Sequence, residues 1–273
     1  MTISKYSGNG NDFVIFVAQE KKDRSSLAQK LCHRQNGVGA DGLVVVLPHK
    51  KYDFEWEFYN ADGSRANMCG NASRCVAHFA HEKGISKDGT AEFLTGAGVI
   101  RATINGMYVV SDMTEPDIIK KDIEEYGETW WLIDSGVPHL VTIREDIENF
   151  NIDEARALRQ KYNCNVNICK IDDDTMYVRT YERGVEDETL ACGTGIVACF
   201  IRNYKEENVS HKVKVYPKSG DELYVSYEEG VYRFGGQVTN TFVAETSIGD
   251  LTTETVHTFF ITHIKFISTF RMY

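Results

Sequence analysis

Ala61-Asp-Gly-Ser-Arg-Ala-Asn-Met-Cys-Gly-Asn71 and Glu182-Arg-Gly-Val-Glu-Asp-Glu-Thr-Leu-Ala-Cys-Gly-Thr-Gly195 are two polar loops, each reaching a Cys-Gly step beside a helical pattern. Ahead of the first, Phe54-Glu-Trp-Glu-Phe58 alternates with period two, as a half-buried strand does. After it a helix is expected to about Lys83, with Ala72, Val76, Phe79 and Ala80 on one face and Gly84 ending it. Ahead of the second, Met176-Tyr-Val-Arg-Thr-Tyr181 reads as a strand. After it Ile196, Val197, Phe200, Ile201 and Tyr204 recur at helical spacing. Each half thus reads strand, polar loop, Cys-Gly, helix. That repeat points to duplication, with a cleft between two similar domains related by a pseudo-two-fold axis. The join falls near Glu115-Pro116.

Outward from these loops, Phe13-Val-Ile-Phe-Val17 reads as a strand after a Gly/Asn turn. Ser25 to His33 reads as a helix with Ser25 or Ser26 as N-cap, and Leu43-Val-Val-Val-Leu47 as a buried strand closed by Pro48. From Gly249 to Tyr273 the character changes. Phe259, Phe260, Ile261, Ile264, Phe266, Ile267 and Phe270 fit helix and strand templates equally, and His257, His263 and Lys265 interrupt them. An added surface or interface element is expected there, not a membrane span.

A chain of 273 residues can bury a sizeable core. Its net charge of −10 argues against nucleic acid, which wants clustered Lys and Arg, but says little about a small zwitterion. The N-terminus shows no secretory pattern, and 7 scattered cysteines suit a reducing cytoplasm better than a disulfide framework. No partner is expected beyond a small molecule, neither nucleic acid nor membrane; a homodimer is one assembly compatible with the sequence.

A thiol at a helix start sits near about half a positive charge and several unpaired N–H groups, which lower its pKa from about 8.5. Gly70 and Gly193 leave those N–H groups open to an anion, with Asn71 and Thr194 adding polar contacts. Two facing helix ends can therefore clamp one carboxylate between Cys69 and Cys192. Stereoinversion at an α-carbon needs that geometry: one thiolate to take a proton, one thiol on the opposite face to give one, and N–H donors to stabilise the carbanion.

Most cysteines simply pack. Cys75, Cys169 and Cys199 fit that reading by their place on helix or strand, and for Cys32 and Cys164 a structural role is the default. Cys69 and Cys192 escape it by their matching polar, Gly-flanked contexts. A zinc or thiol module is the rival of a different class, but Cys69 to Cys75, Cys164 to Cys169 and Cys192 to Cys199 match no tight zinc spacing. Neither metal nor cofactor is expected.

At these residues the chain resembles the diaminopimelate epimerase family. Met68-Cys-Gly-Asn-Ala-Ser-Arg74, Tyr181-Glu-Arg-Gly184 and Glu188-Thr-Leu-Ala-Cys-Gly-Thr-Gly195 look like its two active-site motifs. Gly8-Asn-Gly-Asn-Asp-Phe13 and Asn60-Ala-Asp-Gly-Ser64 are similar to its N-terminal signature and its approach to the first cysteine. The resemblance spans residues 1 to about 248. It implies an α/β fold of two pseudo-symmetric domains, each a curved sheet around a central helix, with the active site in the cleft. The expected division is 1–114 carrying Cys69, 115–238 carrying Cys192, a strand at about 239–248 returning to the first domain, and an extra tail at 249–273. It further implies interconversion of LL- and meso-diaminopimelate without pyridoxal phosphate, in lysine and peptidoglycan-precursor biosynthesis.

Carried over by position, Cys69 takes the proton of the LL isomer and Cys192 protonates the other face. Gly70, Asn71, Gly193 and Thr194 hold the reacting carboxylate. Asn11, Asn60, Asn167, Glu182 and Arg183 match substrate contacts, Arg183 suiting a distal carboxylate by its planar fork. His139 and Glu182 match residues that tune the thiols. Taken alone, Asn11 and Asn60 would be turn formers, Glu182 and Arg183 a solvated pair, and His139 structural; the register with the cysteines favours function for all but His139, where the two readings balance. Two positions depart from some members: Gly42 stands where they carry a substrate-contacting Gln, and Val137 where they carry an Asn. The nearest rival is a proline-racemase-type enzyme, which would need no distal carboxylate clamp.

Overall fold

The computed structural model describes residues 1–113 and 115–246 and a two-residue strand, Lys265–Phe266. The first half runs β1 (Thr2–Gly8), β2 (Asn11–Val17), α1 (Ser25–Cys32), β3 (Gly42–Leu47), β4 (Phe54–Asn60), α2 (Gly70–Glu82), β5 (Thr90–Thr95), β6 (Gly98–Asn105) and β7 (Tyr108–Asp112). The second runs β8 (Asp117–Glu125), β9 (Glu128–Asp134), β10 (Pro138–Ile143), α3 (Ile152–Tyr162), β11 (Asn165–Asp172), β12 (Thr175–Glu182), β13 (Asp187–Thr189), α4 (Gly193–Lys205), β14 (Lys212–Pro217), β15 (Leu223–Glu228) and β16 (Val231–Gln237). β17 (Thr239–Glu245) then pairs with β1, and β18 (Lys265–Phe266) with β17. The expected surface element at 249–273 otherwise falls outside the described residues.

Strand pairing gives the repeat a physical form. From β17 through β1, β2, β3, β4, β5 and β6 to β7, successive neighbours are antiparallel, antiparallel, parallel, antiparallel, parallel, antiparallel, antiparallel. From β8 through β9, β10, β11, β12, β14 and β15 to β16 the same order recurs. Antiparallel pairing of β7 with β16 joins the two series.

Each sheet wraps one helix and carries a second on its outer face. Along β3 every residue is buried: Val44 and Val46 face Val76 and Phe79 of α2, while Leu43, Val45 and Leu47 face Ala28 and Leu31 of α1. Burial on both faces is why this segment reads as an unbroken apolar run. In the second half Val141 and Val178 pack on α4, while Leu140, Val166 and Ile168 pack on Ala155 and Leu158 of α3. Both central helices are enclosed, so α2 buries even Asn71, Ser73, Arg74 and His78.

Two local expectations change. Neither Ser25 nor Ser26 caps α1; the carboxylate of Asp23 instead accepts from the Ser25 N–H at 3.0 Å and its hydroxyl at 2.7 Å. In β4 the alternation fails at Glu57, which is buried and ion-paired to the equally buried Arg24 at 2.5 Å. Two charges taken out of water persist there because each satisfies the other. No described helix is long and apolar enough to cross a membrane.

Candidate active site

Cys69 and Cys192 occupy the N-cap positions of α2 and α4, with extended backbones at φ −152° and −120°. The first helical bonds run from the Ser73 N–H to the Cys69 carbonyl and from the Ile196 N–H to the Cys192 carbonyl, both 2.9 Å. The N–H groups between them, Gly70 to Ala72 and Gly193 to Gly195, have no partner within their helices. Both helix starts open on one cavity of about 780 Å³ in the cleft.

Phe234 of β16 sits beside both helix starts. A Cβ on Gly193 would lie 2.9 Å from its ring, and one on Gly70 3.4 Å from it. Glycine at 193 is therefore a packing requirement as well as an opening for an anion.

The thiols differ from the expectation of a lowered pKa. Burial pushes Cys69 up to about 11, against the N–H groups of Ala72 and Asn71 and the charge of Arg74, with Glu182 adding to the rise. Cys192 is raised further, by burial first and the Glu182 charge second; Thr194 and the Gly195 N–H oppose it. The helix-end effect is present at both sulfurs, but desolvation in the cleft outweighs it.

Asn11, Asn60, Gly70, Asn71, Glu182, Arg183, Gly193 and Thr194 line the same cavity. Asn11 accepts from Asn71 Nδ2 at 2.9 Å and donates to Asp41 at 2.8 Å, so both amides are oriented. Asn60 donates to Ser64 Oγ at 2.9 Å. Arg183 is held by its N–H on Asn165 Oδ1 at 2.7 Å and by Nη1 on the Asn163 carbonyl at 2.8 Å. Burial raises the Glu182 carboxyl, and the Asp41 charge adds to that.

Asn167 does not reach the cavity. It is fully buried behind His139, its Nδ2 on His139 Nδ1 at 2.9 Å and its Oδ1 accepting from Thr180 at 2.8 Å. That contact makes Nδ1 an acceptor, and Nε2 lies 2.9 Å from Thr194 Oγ1 and 3.3 Å from Asn165 Nδ2. Thr194 Oγ1 lies 3.5 Å from Cys192 Sγ. Burial lowers His139 to about 3, which keeps the imidazole neutral. His139 thus touches Cys192 only through a hydroxyl.

Sequence reading missed Asn165, which lines the cavity, and the aromatic wall of Phe13 and Phe58. Asn165 and Asn167 lie two apart on β11, hence on one face, and that alternation was the available signal. At Gly42 a Cβ would lie 2.6 Å from Phe58, whose ring fills that space. Val137 lines the cavity too. Among the described residues, no group of three or more His, Cys, Asp or Glu side chains is placed to hold a metal.

Two like helix ends presenting thiols to one cleft make up the candidate site. The family model for diaminopimelate epimerase matches residues 3–119 and 131–239. The chain is 55% identical over 243 residues to a diaminopimelate epimerase of a Nitratiruptor species, covering 89% of this chain and 97% of that one. It is 45% identical over 254 residues to the diaminopimelate epimerase of Helicobacter pylori, covering 86% and 93%. This chain belongs to the diaminopimelate epimerase family. Its fold is shared with a probable proline racemase from Agrobacterium radiobacter (TM-score 0.70, 15% identity, covering 91% and 93%). It is also shared with a putative phenazine biosynthesis protein from Clostridium difficile (TM-score 0.71, 16% identity, covering 90% and 98%).

Proposed function

We propose that this protein epimerises LL-2,6-diaminopimelate to the meso isomer by two-base chemistry, serving lysine and peptidoglycan-precursor biosynthesis. The observation that carries the reading is the opening of both Cys-Gly helix starts, one from each half of the sheet, on a single cavity. The reacting carboxylate lies across the N–H groups of Gly70, Asn71, Gly193 and Thr194, which stabilise negative charge as the α-proton leaves. Cys69 takes that proton as thiolate and Cys192 returns one to the opposite face, so the reaction balances without a cofactor. Arg183 and Glu182, with Asn11 and Asn60, receive the distal carboxylate and ammonium. Asn167 acts by setting the tautomer of His139, which orients Thr194 at Cys192. The matching strand orders support a division at 1–114 and 115–238, with the strand from 239 completing the first domain.

The test is conversion of pure LL-diaminopimelate by metal-free protein in heavy water. Product from the first turnovers is expected to carry deuterium at the inverted carbon, because the thiol facing it exchanges with solvent. Recovered substrate is expected still to hold protium. Early product that keeps its protium sinks the two-thiol mechanism. Racemisation of proline in place of diaminopimelate would instead favour the rival reading.

A further inference from the structure

Arg74 is wholly buried in α2, and among the described residues it forms no ion pair. Its Nη2 donates to Asn71 Oδ1 at 2.6 Å and its Nε to the Gly70 carbonyl at 3.4 Å, while Nη1 meets no acceptor. The guanidinium lies 4.5 Å from the centre of the Phe234 ring, the same ring that lies against Gly70 and Gly193. Room for it depends on a missing side chain: a Cβ on Gly236 would sit 2.1 Å from Nη1. The ionisable groups facing it are Cys75 and Cys69 of its own helix end, Tyr108 of β7 and Asp221 ahead of β15. A buried cation without a carboxylate is costly, and such groups concentrate where an anion forms in function.

The second helix has no counterpart. Five residues after Cys69 stands Arg74; five after Cys192 stands Val197, buried and apolar. Glu182 of β12 faces both sulfurs. It is the largest influence after burial at Cys192, but ranks behind two N–H donors at Cys69. Arg74 is the other charge at Cys69, opposite in sign and smaller in effect than Glu182, and burial lowers its own pKa to about 10.

We propose that Arg74 is a positioning residue that makes Cys69, and not Cys192, the first thiol of the pair to ionise. This rests on the two-thiol reading above. The guanidinium supports negative charge on Cys69 and, through Asn71, fixes the amides that face the substrate. The reactive form of the pair is then Cys69 thiolate with Cys192 thiol. One proton passes from the α-carbon to Cys69 Sγ as one passes from Cys192 Sγ to the opposite face. Solvent exchange restores the starting pair, taking a proton from Cys69 and returning one to Cys192.

The experiment is alkylation of the substrate-free protein by iodoacetamide, with the rate at each cysteine followed by peptide mass spectrometry as pH is raised. The midpoint for Cys69 is expected about one pH unit or more below that for Cys192, which is about tenfold in thiolate fraction. Arg74→Met is expected to raise the Cys69 midpoint by about half a unit and leave that of Cys192 in place. Arg74→Lys, which keeps the charge but loses the fork, is expected to move it less. Equal midpoints in the unaltered protein, or a lower one for Cys192, overturn the proposal even where no variant folds. So does a folded Arg74→Met in which both midpoints stay put or move together, as a purely structural role would have it. A protein whose Cys69 ionises first but which leaves diaminopimelate unchanged would sink the epimerase reading and keep this one.

Discussion

The starts of α2 and α4 hold the same backbone and different surroundings. Each has an extended N-cap cysteine, a glycine at the first helical position and an opening on the cleft. Behind Cys69 lies a buried guanidinium tied to Asn71; behind Cys192 lies a neutral imidazole tied to Thr194. Stereoinversion asks for both features at once. The backbone must be alike, because one carboxylate has to sit symmetrically between two faces. The thiols must differ, because one has to be charged when the other is not. On the mechanism proposed above, the repeated strand order would meet the first requirement and the differing side chains behind each cysteine the second.

The comparison breaks most completely at the sulfurs. Cys69→Ala and Cys192→Ala are each expected to lower epimerisation by about 10³-fold or more, since each removes a proton donor or acceptor that nothing nearby replaces. The two variants should still differ in heavy water. With Cys69 intact, Cys192→Ala is expected to exchange the α-proton of the LL isomer without inverting it. Cys69→Ala should do so with the meso isomer, at its inverting centre. Full turnover by either variant, measured by chiral chromatography, would falsify the assignment of the pair.

Much of this architecture was legible because its signals are local. A strand, a Gly-bearing polar loop and a Cys-Gly step before an amphipathic run are short-range patterns, and they recur. What stayed hidden depends on how the halves close. A helix-start cysteine suggests a lowered pKa, yet burial in the cleft pushes both thiols up. Nothing local marks Arg74 as buried; that follows from strands enclosing its helix on all sides. Asn167, a substrate contact by the resemblance, is buried against His139, while Asn165 two residues earlier lines the cavity.

A smaller effect sharpens the contrast at the second helix. Folding keeps His139 neutral, with a pKa of about 3 against 6.5 for the free side chain. Its contribution to stability is full above pH about 6.5 and is lost as pH falls toward 3. Between pH 7 and pH 5 that amounts to about 2 kcal/mol. His139→Gln, neutral at every pH, is expected to lose that much less stability over the same interval in urea unfolding. Parallel losses in the two proteins would show that His139 is not held neutral, and the hydroxyl link to Cys192 would need another orienting group.

The smallest effects belong to the thiols that lie deeper in the same two helices. Cys75 and Cys199 are wholly buried, Cys75 beside Gly8 and Cys199 among the apolar residues packed on α4. Neither reaches the cavity. Cys75→Ala and Cys199→Ala each remove one sulfur from a packed interior, so a stability loss of about 1 kcal/mol is expected, from lost contacts and a small void. Epimerisation should stay within about twofold, because no proton on the reaction path passes through either group. The contrast with Cys69 and Cys192 is then one of position alone: a thiol at the helix start meets substrate, whereas one further along the same helix meets only the core. A loss of activity in Cys75→Ala near that of Cys69→Ala, with the fold intact by circular dichroism, would move the first base away from the helix start and undo the comparison.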